Sequence, residues 1–176
     1  MTESQADFGV ILDAHTVRFE RWLPGSMDRV WAYLTQPELL RTWLAGAGVQ
    51  PKMGGSVELR FAEADLTDFQ PDDCICRGNI TRFDPPRTLA YTWKEGEKQE
   101  SEVSFELAPE GDGVRLTLTH RRAPKSELAG FCGGWHIHLT ALASRLNGKL
   151  PGPFMVAYRA VAPHYQKKVA ELPSGE

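Results

Sequence analysis

Residues 16–23 read Thr-Val-Arg-Phe-Glu-Arg-Trp-Leu, with apolar Val17 and Phe19 alternating against charged Arg18 and Glu20. A period of two marks a strand with one wet face. Pro24-Gly25 stops it, and Ser26 is suited to cap a helix. Met27, Val30, Trp31 and Leu34 then fall at i, i+3, i+4 and i+7, one apolar helical face. Pro37 suits the first turn of a second helix carrying Leu40, Trp43 and Leu44, with Gly46 and Gly48 ending it. Helices this short are not stable alone, so the pair should close one end of a sheet.

Alternation returns at residues 57–61, 74–83, 88–93, 101–107 and 114–120. Gly78 breaks the second of these runs, where a bulge or bend is expected. Asp84-Pro85-Pro86 forces a turn, and Glu110-Gly-Asp-Gly113 is a tight hairpin signal. Residues 62–73 are acidic, lack periodicity and read as an exposed loop. Six strands with hairpin-length connections predict a mostly antiparallel sheet in an α+β domain. After Gly133-Gly134, residues Trp135, Leu139, Leu142 and Leu146 recur at helical spacing up to Asn147-Gly148. That stripe is what a curved sheet would grip.

Composition narrows the picture. At 176 residues, 41% hydrophobic and 24% charged, the chain reads as a single domain, 1–176, with one core. Residues 1–13 are polar and acidic and read as a flexible N-terminus. They lack the order of a signal peptide, and no apolar run reaches the ~20 residues of a membrane span, so a cytoplasmic location is expected. A net charge of −3 supplies no electrostatic footprint for nucleic acid. Three cysteines are too few for a disulfide framework; Cys74 and Cys76 fall on one strand face and Cys132 reads as buried.

Four stretches carry a family resemblance: the Val30-Trp31 to Trp43 helix pair; Gly78 through the Asp84-Pro85-Pro86 turn to Tyr91-Thr-Trp93; the Leu116-Thr-Leu-Thr-His120 strand end; and Gly134-Trp135. The chain resembles the bacterial branch of the family named for the activator of the heat-shock-protein-90 ATPase, within the START/Bet v 1-like, or SRPBCC, superfamily. The resemblance spans residues 17–146 and implies a helix-grip fold, a curved antiparallel sheet wrapped on a long C-terminal helix. These are packing and turn signatures rather than catalytic motifs, so they specify architecture and not ligand. Many bacterial members stop near the end of that helix. Here an extension, 149–176, holds a helical stretch at 154–172 interrupted by Pro163. It reads as a helix packed outside, a lid over a cavity mouth, or the arm of a homodimer.

A sheet gripping a helix leaves a tunnel lined by inward alternate residues. The candidates are Phe19, Leu59, Phe61, Tyr91, Trp93, Phe105 and Leu118 from the sheet, with Trp135, His138 and Leu142 from the helix. Taken singly, each could simply pack a core. Together, on a fold the resemblance associates with a pocket, they point to a small hydrophobic or aromatic ligand, bound without catalysis. His120 shares parity with Leu116 and Leu118, and with His138 it is the acid–base candidate of an alternative reading, an enzyme resembling the superfamily's polyketide cyclases. Either histidine could equally hydrogen-bond backbone. A further alternative, implied by the resemblance, is an interaction protein acting on a chaperone ATPase. His136 and His138 lie two apart on a helix, about 200° around it, and cannot share an ion. With no HExxH, paired CxxC, dinucleotide, P-loop or nucleophile-elbow motif, neither metal nor cofactor is expected. Glu58, Arg60, Glu102 and Glu106 take the opposite parity and read as the solvated face.

Overall fold

The computed structural model describes residues 4–71 and 74–174, so positions 1–3 of the N-terminal segment and Asp72-Asp73 of the acidic loop lie outside the described residues. The first alternating run forms β2 (Thr16–Pro24), preceded by a short strand, β1 (Val10–Asp13). Val17, Phe19 and Leu23 are buried on one face of β2 while Arg18, Glu20 and Trp22 are exposed on the other. Ser26 accepts the Arg29 N–H at 3.2 Å and so caps α1 (Met27–Thr35), as its side-chain chemistry predicts. Pro37 opens α2 (Pro37–Leu40), a single turn shorter than the Leu40, Trp43 and Leu44 spacing suggested.

Gly46 and Gly48 do not end a helix. They belong to an edge strand, β3 (Gly46–Val49), which pairs with β4 (Ser56–Arg60). The sheet continues through β5 (Ile75–Asp84), β6 (Thr88–Glu95), β7 (Ser101–Glu110) and β8 (Gly113–Arg121). Among the described residues it has eight strands rather than six, all antiparallel, in the spatial order β1-β2-β8-β7-β6-β5-β4-β3. The long strand nearest the chain's start thus lies against the last one, with Val17 opposite His120 and Phe19 opposite Leu118. The break in β5 is displaced from its expected place: the register slips at Thr81, between Ile80 and Arg82. Gly78 serves close approach instead, because a Cβ there would collide with the Thr92 carbonyl of β6.

The gripped helix, α3 (Leu128–Leu146), starts earlier than Gly133-Gly134 and carries both glycines in its interior. Leu139, Leu142 and Leu146 are buried against the curved sheet. Its far end is tied to the small helices. Arg29 donates to the Leu146 carbonyl at 3.0 Å, and Arg145 donates to that of Thr42 at 2.9 Å. The architecture is α+β of helix-grip type.

A fourth helix, α4 (Phe154–Ala170), continues straight through Pro163 rather than being interrupted by it, and packs against α3. Gly133 permits this, since a Cβ there would lie 2.7 Å from the Tyr158 ring. The loop expected to be exposed supplies the helix start: Thr67 O accepts the Phe154 N–H at 3.0 Å and Asp68 Oδ1 that of Met155 at 2.7 Å. The N-terminal segment is likewise tied down where it is described. Phe8 packs 4.7 Å from His136 and 4.3 Å from His164, ring centre to ring centre. Gly9 crosses Phe19 and donates its N–H to the Tyr165 hydroxyl at 2.8 Å, and His136 Nδ1 meets the same oxygen at 2.8 Å.

Tyr165 therefore joins the N-terminal segment, α3 and α4 through one buried oxygen. Tyr165→Phe should lower the free energy of unfolding by about 1–3 kcal/mol, the usual cost of stranding polar partners, and speed proteolysis ahead of β2. Urea denaturation with an unchanged midpoint would show that this oxygen does not hold the three segments.

Candidate ligand-binding site

Between α3 and the β6 side of the sheet lies an open cavity of about 420 Å³. Its apolar wall is Leu44, Phe61, Trp93, Phe131 and Trp135, with Pro71 and Cys74 from the loop before β5. The Trp93 and Trp135 rings meet edge to face at 5.4 Å, Phe131 is edge-on to Trp93 at 6.2 Å, and Phe61 lies 5.8 Å from Trp93. Such contacts stiffen the wall beyond what burial alone does. Gly130 and Gly134, one turn apart on α3, form the rest of that side. A Cβ built on either would meet nothing within 4 Å.

Polar groups at the mouth are Glu95, Lys98, Ser126 and Glu127. Lys98 bridges Glu95 at 3.2 Å and Glu127 at 3.3 Å, spanning from the end of β6 to the turn before α3. Burial works against the Lys98 charge, but its hydrogen bonds and attraction to these two carboxylates prevail and its pKa is raised. Inside, both indole N–H groups are already engaged. Trp93 Nε1 donates to Glu95 Oε1 at 2.9 Å, and Trp135 Nε1 donates to His120 Nδ1 at 3.0 Å.

An indole N–H can only donate, so His120 Nδ1 is bare and its proton sits on Nε2, which reaches Ser101 Oγ at 2.7 Å. Ser101 in turn donates to the Trp93 carbonyl at 3.4 Å. His120 has both ring nitrogens occupied and no accessible surface, and it does not line the cavity. His138 takes the opposite tautomer. Its Nδ1 lies 2.8 Å from the Trp43 carbonyl, which can only accept, so Nδ1 carries the proton and Nε2 is a bare acceptor. The residue lines the cavity with 6% of its surface accessible. Burial lowers the His120 pKa to about 3, and it lowers that of His138 to about 4 against a smaller upward pull from Trp43.

Of the sequence candidates, Phe61, Trp93, Trp135 and His138 come together around the cavity. Phe19, Leu59, Tyr91, Phe105, Leu118, His120 and Leu142 are buried in the packed interior and do not line it. Phe19 sits at the opposite side, within 6.3 Å of His136 and Tyr165, because β2 is five places from β4 in the sheet order. Leu44, Phe131, Cys74, the glycine pair and the charged rim were missed. Parity marks which face a residue takes, but not whether packing or empty space lies in front of it. Buried Cys76 and Cys132 are held as thiols, with burial pushing the Cys132 pKa up to about 12 and that of Cys76 further. The other large depression, lined by Glu58, Arg77, Asn79, Thr92 and Lys94, is a polar groove. Among the described residues no three His, Cys, Asp or Glu groups could hold a metal ion, and no helix is long and apolar enough to cross a membrane.

The profile of the family described as Activator of Hsp90 ATPase homolog 1-like protein matches residues 24–147. The chain belongs to this family. It is thereby a member of the SRPBCC group. The solution structure of the protein encoded by BPP1335 from Bordetella parapertussis is 36% identical at a TM-score of 0.75, and the match covers 100% of this chain and 98% of that one, α4 included. CalU16 from Micromonospora echinospora is 23% identical at a TM-score of 0.70, over 93% of this chain and 96% of its own. DynU16, described as a putative protein in the dynemicin biosynthetic locus, is 23% identical at 0.65, over 78% of this chain and 49% of its own. These last two share the fold. No curated protein matches the chain.

The two depressed histidines tie stability to pH. Above their ordinary pKa of 6.5 neither the folded nor the unfolded state binds a proton there, and stability is complete. Below 6.5 the unfolded chain takes up protons that the folded protein refuses until pH falls to about 4 and 3, so stability drains over that window. Each histidine should withdraw roughly 2 kcal/mol between pH 7 and pH 5. His138→Gln should remove about half of this pair's contribution to the loss, read as a shallower dependence of unfolding free energy on pH. A variant with the wild-type slope would show that His138 is not held neutral.

Proposed function

We propose that the protein binds a small apolar or aromatic molecule in the cavity between α3 and the sheet, in the cytoplasm, without transforming it. The observation that carries this reading is the glycine pair. Glycine inside a helix costs about 1 kcal/mol relative to alanine, and both Gly130 and Gly134 line the cavity, exposed Gly130 adding no side chain to its wall and half-buried Gly134 facing space that a larger side chain could fill. A sequence selected only for stability has reason to fill that space; one that keeps a cavity open for a guest has reason not to. The volume is within the ~300–1,000 Å³ usual for ligand pockets, and the wall is mainly aromatic. Affinity would come from apolar burial at ~25 cal/mol per Å², less the cost of association. The place of DynU16 in a biosynthetic locus agrees with a small organic partner.

One observation favours a second reading, a cyclase-like enzyme. His138 lines the cavity with Nε2 bare and could take a proton from a guest, whereas His120 has no ring nitrogen to spare. With a pKa held near 4, His138 is a weak base, which favours binding over catalysis.

Gly134→Leu separates a guest site from unused space. The leucine should occupy the cavity, abolish any small-molecule adduct seen by native mass spectrometry with organic extraction, and leave stability equal or higher. An adduct retained at wild-type level would refute the placement. A large loss of stability would show that the space at Gly134 is not open.

A further inference from the structure

Resting on the reading of the cavity as a guest site, we propose that its ligand carries a hydroxyl or N–H donor on the end that enters first, as a phenol does, and that His138 Nε2 receives it. The cavity's inner polar atoms leave a specific vacancy in hydrogen bonding. Trp93 Nε1 and Trp135 Nε1 donate to Glu95 and His120, so neither indole offers a donor to a guest. His138 Nδ1 is committed to the Trp43 carbonyl, and among the described residues nothing bonds to Nε2. What the interior presents is therefore one acceptor on a side chain more than nine-tenths buried, set in an aromatic wall.

The acceptor is also fixed in place. The His138 ring packs against the paired rings of Phe69 at 5.4 Å and Phe154 at 4.8 Å, with Trp135 at 6.4 Å. Turning the ring over would put Cδ2–H where Nδ1–H now stands and forfeit the bond to the Trp43 carbonyl, so that bond holds the orientation as well as the tautomer. A guest with a buried hydroxyl satisfies both itself and Nε2. A carboxylate entering first would face a lone pair with no donor to replace its water, and would pass the Glu95 and Glu127 carboxylates at the mouth. A purely apolar guest fits the wall but leaves Nε2 unpaired.

The test compares 2-naphthol, 2-methylnaphthalene and 2-naphthoate by calorimetric titration of the wild-type protein at pH 7. Hydroxyl and methyl are close in size, and a buried hydroxyl without a partner binds worse than the methyl it replaces. The expected result is that 2-naphthol binds at least as tightly as 2-methylnaphthalene, that 2-naphthoate binds far more weakly, and that the naphthol-to-methylnaphthalene affinity ratio falls about tenfold in His138→Phe, one hydrogen bond's worth. A wild-type preference for 2-methylnaphthalene overturns the inference without any variant, and leaves the cavity as a binding site. A ratio unchanged in a folded His138→Phe overturns it too. Failure of all three compounds to bind, or binding that survives Gly134→Leu, overturns the cavity reading itself.

Discussion

A short chain of buried polar groups sets how the helix sits in the sheet. Trp135 of α3 donates to His120 of β8, His120 donates to Ser101 of β7, and Ser101 donates to the Trp93 carbonyl of β6. Apolar packing between a helix and a sheet tolerates sliding, because one methyl contact replaces another. Hydrogen bonds in a dry interior do not, since an unpaired donor or acceptor there costs far more than a paired one contributes. This relay pins α3 at one height and rotation over the strands β6, β7 and β8. The position of every other side chain on the helix follows, including which face meets α4 and which faces the cavity.

Two histidines of the same helix-and-sheet interior thus do different work through opposite tautomers. His120, with a donor on one side and an acceptor on the other, completes the relay and has nothing left to offer. His138, about one turn along α3 from Trp135, spends its proton on the Trp43 carbonyl and keeps a bare Nε2 on a side chain that lines the cavity. The carbonyl partner comes from the chain just after α2, so the helix pair, itself too short to stand alone, orients a buried polar side chain of the cavity wall.

Much of this was legible before the structure. A sheet with one buried face writes a period of two into the chain, and β2, β4, β6, β7 and β8 announce themselves that way. The edge strands did not: β1 carries exposed apolar residues Val10 and Leu12, and β3 reads as a glycine-rich helix stop. Trp93, Trp135, Phe61 and His138 were found because parity and helical spacing put them on the inner face. The same rule put Phe105 and Leu118 there, since parity carries no information about depth along a strand. Gly130 and Gly134 escaped notice because empty space has no hydropathy, and Gly133-Gly134 before an apolar stripe look like a helix start. Glu95, Lys98 and Glu127 become a rim only when the end of β6 meets the turn before α3.

The glycine pair also says how such a protein can change over time. Cavity walls built of Trp93 and Trp135 are locked, because each indole is engaged by hydrogen bonds that also serve the fold. Positions 130 and 134 carry no such duty. A single codon change there, to alanine, serine or valine, alters the volume and shape of the space while the scaffold stays as it is. On the proposed reading, lineages that keep this scaffold drift from one guest to another in small steps, and differences in selectivity are to be sought first at those two helix positions.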